Sequence, residues 1–184
     1  MAGVFNEAVL TTKGIALLAK AQAGECTISF TKAATGSGSY SDGETISTRT
    51  ALKNQQQEFS ISSVYVQNTT NVYVKFIITN NPSDGDALTT GYYVTEVGLF
   101  ATDPDEGEIL YAIATAVTDQ WDYMPSYNGL LAATITVEFL TEVANAEEVT
   151  ITSPNYTYLY DTEDGTKYVL GVSNGLLYYE EVEE

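Results

Sequence analysis

The chain has 184 residues, 44% of them hydrophobic and 17% charged, with 25 Asp and Glu against seven Lys and Arg and no histidine. That length and composition describe a globular domain with room for a small appendage, and they argue against a disordered chain. A formal net charge of -18 argues against nucleic acid or an anionic membrane as partner, because both are bound through clustered basic residues.

The first predicted element is a helix from Thr12 to Ala23, rich in Ala, Leu, Lys and Gln. Thr11 or Thr12 caps its start, Lys20 sits near its negative end and Gly24 stops it. Leu10, Gly14, Leu17 or Leu18, and Ala21 share one face, so the helix should lie on a sheet. The period then changes to two: Cys26, Ile28 and Phe30 alternate with Thr27, Ser29 and Thr31, the pattern of a half-buried strand. Cys26 allows no internal disulfide, fits a reducing cytoplasm, and reads as a small buried hydrophobe. Thr35 to Glu44, with Gly36, Gly38 and Gly43, reads as a long flexible loop.

Strands are expected at Glu58 to Gln67 and Val72 to Thr79, joined by a turn at Asn68-Thr69-Thr70-Asn71, with Val72, Val74, Phe76 and Ile78 facing one way. A polar loop from Asn80 to Gly91 leads into Tyr92 to Ala101, apolar on both sides and so a central strand. Asp103-Pro104-Asp105-Glu106-Gly107 reads as a turn, and Ile109, Tyr111, Ile113, Thr115 and Val117 as the return strand. A loop from Asp119 to Gly129 precedes a last long strand carrying Leu131, Ala133, Ile135, Val137 and Phe139. The fold class is mainly β: an antiparallel β-sandwich with one N-terminal α-helix. Composition shifts near Pro154, giving residues 1–153 as the main module and 154–184 as a small three-stranded β-meander with Asn174-Gly175 in its tight turn. Such a meander has little core of its own, so Tyr156, Tyr158, Tyr160, Leu176 and Tyr178 are its expected interface residues.

Little in the sequence offers a chemistry. Without histidine there is no Ser-His-Asp triad, and with one cysteine no structural zinc site, so neither catalytic residues nor a metal or other cofactor is expected. Glu96 and Glu138 are the carboxylates closest to a glycosidase-like pair, but each alternates with inward residues. Asp103, Asp105, Glu106 and Glu108 invite a Ca²⁺ reading, yet the loop lacks EF-hand spacing and reads better as an acidic turn. Gly36-Ser37-Gly38 lacks the lysine and hydroxyl residue of a phosphate loop. The loop Trp121-Asp122-Tyr123-Met124-Pro125-Ser126-Tyr127 is the best candidate for binding. Trp121, Asp122, Tyr123 and Tyr127 would suit a sugar by stacking and hydrogen bonding; the competing reading has Trp121, Tyr123 and Met124 plugging the sandwich end or a subunit interface. No apolar run has membrane-spanning length, and the N-terminus lacks the order of a signal peptide.

Six segments, in order, carry a resemblance: Leu10-Thr11-Thr12-Lys13-Gly14; Lys20-Ala21-Gln22-Ala23-Gly24; Phe30 to Gly38; Glu96-Val97-Gly98-Leu99-Phe100-Ala101; Ile109-Leu110-Tyr111-Ala112; and Asp122-Tyr123-Met124-Pro125. Together they resemble the N-terminal module of phage tail-collar fibre proteins, over roughly Leu10 to Pro125 and more loosely to Val143. The resemblance implies a virion structural protein without enzymatic activity, attached to the tail, collar or baseplate as part of the host-recognition apparatus. It further implies a homotrimer, other phage tail or baseplate proteins as partners, and assembly in the bacterial host cytoplasm. Glu96 to Ala101 and Ile109 to Ala112 would be core strands. Family members often run on into a shaft and receptor-binding tip, whereas this chain ends at Glu184, which suits an adaptor or baseplate component with the C-terminal meander as a docking edge. Many also carry a basic residue where this chain has Thr95.

Overall fold

The computed structural model describes residues 4–41, 43–67, 71–83, 85–142, 151–152, 157–160, 167–173 and 176–181, with side chains within 4–66 and 72–140. The chain falls into two compact units, Met1–Ser153 and Pro154–Glu184. In the first, β1 (Val9–Leu10) and α1 (Thr12–Gln22) precede β2 (Ile28–Gly36), a 3-10 turn (Ile46–Thr48), β3 (Gln55–Phe59), β4 (Ile61–Gln67) and β5 (Asn71–Thr79). Then come β6 (Tyr92–Val94), β7 (Glu96–Asp103), β8 (Gly107–Thr115), β9 (Asp122–Met124), β10 (Thr134–Glu142) and β11 (Ile151–Thr152).

The main sheet has six strands in the order β1-β8-β7-β2-β11, with β3 also on β2; a second sheet runs β10-β5-β4, and β6 pairs with β9. All pairings are antiparallel except β11 on β2. Val72, Val74, Phe76 and Ile78 of β5 meet Ile28, Phe30, Leu99 and Tyr111 of the main sheet in one core, together with Leu17 and Ala21 of the helix. Phe30 and Tyr111 pack edge to face at 5.2 Å. On the opposite face Ala34, Phe100, Leu110 and Ile113 are covered by Leu52, Tyr40 and Ile46. The central strands β7 and β8 are therefore apolar on both sides, each fully buried Leu, Ile or Phe contributing about 1.5–3 kcal/mol.

Helix α1 starts where Thr11 Oγ1 accepts from Gly14 N at 2.9 Å, and Ala23 N–H closes its end. Gly24 follows in the left-handed region at φ 74°. Leu10, expected on the helix face, instead forms β1 with Val9, pairing Leu10 with Ala112. Gly14 lets the helix touch β8: a Cβ there would stand 2.0 Å from the Tyr111 carbonyl oxygen.

Several predicted boundaries move. Strand β2 begins at Ile28, leaving Cys26 half-buried, and runs through Gly36, so Thr35 and Gly36 are buried strand residues and not loop. Residues 55–67 form two strands broken at Ser60, because β3 pairs with β2 and β4 with β5. Tyr92 to Ala101 is likewise broken at Thr95, β6 leaving for β9 while β7 stays between β2 and β8. Strand β8 stops at Thr115, short of Val117, and β10 starts only at Thr134. Leu130 and Leu131 stand 83% and 82% exposed before it. The turn at 68–70 lies outside the described residues.

In the second unit β12 (Thr157–Tyr160), β13 (Lys167–Ser173) and β14 (Leu176–Glu181) form an antiparallel meander in sequence order. Its register, with Tyr158 opposite Val169, Tyr160 opposite Lys167, Leu176 opposite Ser173 and Tyr178 opposite Gly171, puts the four on one face. Tyr156 and the turn at 174–175 lie outside the described residues.

Candidate functional site

Strand β6 pairs with β9 so that Tyr93 lies opposite Tyr123. Alternation sends Tyr92, Val94 and Met124 inward, and Tyr93 and Tyr123 outward. The buried Tyr92 hydroxyl donates to Gln57 Oε1 at 3.0 Å, which fixes β6 against the sheet. Tyr93 packs against two aromatic residues of the later segment, tilted on Tyr123 with ring centroids 5.1 Å apart and edge-on to Trp121 at 5.8 Å. The three rings remain 53%, 54% and 43% exposed for Tyr93, Tyr123 and Trp121. Gly91 makes room for this arrangement, since a Cβ there would meet the Tyr123 hydroxyl at 2.4 Å. A turn with Asp119 at φ 63° delivers Trp121 to the cluster.

Of the predicted loop, the structure thus gathers Trp121 and Tyr123 and adds Tyr93, while only Met124 plugs the core. Asp122 is half-buried on β9 and lines a separate groove. Tyr127 lies apart, its N–H donating to the Leu88 carbonyl at 2.8 Å. Tyr93 carried one usable signal, the Tyr92-Tyr93 doublet after Gly91, which places one ring on each side of a strand.

Tyr93 and Trp121 form one lip of a groove of about 610 Å³ whose other lip is made by residues 37–41 with Gly43 and Glu44. Glu96 anchors that segment. It is fully buried at the start of β7 and accepts from Gly38 N at 3.0 Å, Lys53 N at 2.9 Å, Asn54 N at 2.8 Å and the Tyr40 hydroxyl. Thr95 adds a donation to the Gly38 carbonyl at 2.7 Å. Burial, with the Glu96 hydrogen bond behind it, raises the Tyr40 hydroxyl far above its usual range. Lys53 sits 4.4 Å over the Tyr40 ring and ties Glu44 and the Ser39 carbonyl together at 2.6 Å each. The Lys53 hydrogen bond in turn holds the Glu44 carboxyl below its ordinary value.

The other carboxylates singled out in the sequence also have partners. Glu96 is enclosed by its donors, and Glu138 is exposed beside Lys75 at 3.5 Å. In the acidic turn, Asp103 accepts from Lys20 at 2.8 Å through both oxygens and from the N–H groups of Asp105 and Glu106. Asp105 shares Lys20, Glu106 pairs with Lys13, and Glu108 with Lys32. All four carboxyls that suggested Ca²⁺ are paired with lysines from α1 and β2. Among the described residues no helix is long and apolar enough to cross a membrane.

Fold and site together define a two-layered β module with a structural carboxylate at its centre and aromatic rings on its surface. The family described as phage tail-collar fibre protein, N-terminal, matches residues 1–162, and the chain belongs to it. It is a structural protein of the phage tail fibre, part of the virion tail and associated with other tail components. No curated protein and no solved structure gives a significant match.

Proposed function

We propose that the protein attaches or forms part of the host-recognition apparatus by seating a collar or baseplate protein on the Tyr93–Trp121–Tyr123 surface. The supporting observation is that three large rings, Tyr93 in contact with both Trp121 and Tyr123, stay exposed at the paired strands instead of filling the core. Rigid Trp and Tyr side chains contribute strongly to association because they bury large area at little entropic cost. The protein works as a homotrimer, and the meander face with Tyr158, Tyr160, Leu176 and Tyr178 is a second contact surface. A carbohydrate or receptor group is the alternative occupant, favoured by the hydroxyl-rich lip opposite the rings. Phage carrying Trp121→Ala with Tyr93→Ala test the two readings. Tails purified from them should lack this protein while the isolated variant stays folded. Normal incorporation would overturn attachment through this surface, and loss of a glycan-array signal alone would favour the carbohydrate. Light scattering after size exclusion reads the trimer directly.

A further inference from the structure

A second groove, of about 900 Å³, runs between the N-terminal segment and β10. Its walls are two unbroken stretches, Phe5 to Leu10 and Ile135 to Leu140, and its floor is Val97, Ala112 and Ala114 of the main sheet. Neighbouring residues of a strand point to opposite faces, so something that touches every residue in turn must lie beside the backbone. That position is the open edge: β1 ends the main sheet and β10 ends the second sheet among the described residues. Ile135 and Val137 are only half-buried at this mouth, although they pack on the core. The charged residues around it are Glu7, Asp122 and Glu138, with no Lys or Arg; Glu138 also meets Lys75 at 3.5 Å.

We infer that this groove takes an extended, alternately apolar segment of another protein, flanked by Lys or Arg, as an added strand beside β10. An open edge supplies a row of main-chain donors and acceptors, and the half-covered Ile135 and Val137 supply apolar contact for every second incoming side chain. The acidic rim sets the sign of the partner. A second copy paired edge to edge through β10 would bring its own Glu138 to the same acidic rim. The inference is independent of the aromatic surface, because neither Trp121 nor Tyr93 lines this groove.

The test uses the full chain and three synthetic peptides with an alternating Val-Thr centre: one with Lys flanks, one with Glu flanks, and the Lys form N-methylated on alternate amides. Fluorescence anisotropy should show binding of the Lys form, with N-methylation or Glu flanks costing at least about tenfold at low salt. Glu7→Lys with Asp122→Asn should narrow the flank preference. Hydrogen exchange should show new protection at residues 135–140 only when the Lys peptide is present. No binding by any peptide, equal binding of the N-methylated form, or equal binding of the Glu form would overturn the inference. So would protection, in the free chain, of those amides of 135–140 that point away from β5: in a monomer it would mean the chain's own segment fills the groove, in an oligomer a second copy.

Discussion

Glu96 occupies the space that a side chain on Gly38 would need: a Cβ at residue 38 would lie 2.5 Å from Glu96 Oε1, the atom that accepts the Gly38 N–H at 3.0 Å. A Cβ at Gly36 would meet the same oxygen at 2.4 Å. The two glycines and the glutamate therefore form one unit, in which the buried carboxyl replaces a strand partner for residues 38, 53 and 54. Gly38→Ala should destabilise the fold despite lowering the entropy of the unfolded chain. Glu96→Gln should do so too, by about 2–4 kcal/mol, since an amide N–H₂ would face backbone donors and leave some unpaired. A fall in Tm on the order of 10 °C for either variant checks this by calorimetry.

Gly14→Ala gives an opposite sign to intrinsic propensity. In an exposed helix the change is worth about 1 kcal/mol of stabilisation. Here the added Cβ would stand 2.0 Å from the Tyr111 carbonyl oxygen, so α1 must lift from β8. A lower urea midpoint is expected, and a midpoint at or above wild type would show that the helix is free to shift.

How much of this was visible beforehand follows the range of each interaction. The alternation of Val72, Val74, Phe76 and Ile78, and the Thr11 cap of α1, depend on neighbours in sequence, and both stand as read. Gly36 looked like a loop residue, and Gly38 like a merely flexible one, because the reason for glycine at both lies at Glu96, 58 residues beyond Gly38. The breaks at Ser60 and Thr95 arise where consecutive strands join different sheets, which no local period records. Leu131 matched the inward parity of β10 but lies before the strand begins. The aromatic loop was legible as a binding candidate, whereas its assembly with Tyr93 required the β6–β9 register.

Acid should weaken the fold through the turn that Lys20 holds. The Lys20 hydrogen bonds are the largest cause lowering the Asp103 carboxyl, with the N–H groups of Asp105 and Glu106 adding to them. A carboxyl whose value is lowered on folding contributes stability that is present above its unfolded value, near about 4. That contribution is lost as pH falls through the lower folded value. Urea midpoints measured from pH 6 downward should therefore decline below about pH 4. Lys20→Met should be less stable at pH 6 and lose part of that decline; an unchanged slope would mean other carboxyls dominate.

Trp121 is the chain's single tryptophan, so its fluorescence reports on the aromatic surface without competition. At 43% exposure, and stacked edge-on against Tyr93, it should be quenched by acrylamide more readily than a core indole but less than a free one. Tyr93→Ala removes the ring that links Trp121 to Tyr123 without touching the core, because Tyr92 and Val94 carry the inward contacts of β6. Its cost in stability should stay near about 1 kcal/mol, the order of an aromatic pair, while Trp121 becomes more accessible to quencher. If a tail protein seats on these rings, adding purified tails lacking this chain should shield Trp121 in the wild type. The Tyr93→Ala protein should then show weaker shielding, since one side of the stack is gone. Equal quenching with and without tails would place the contact elsewhere on the molecule.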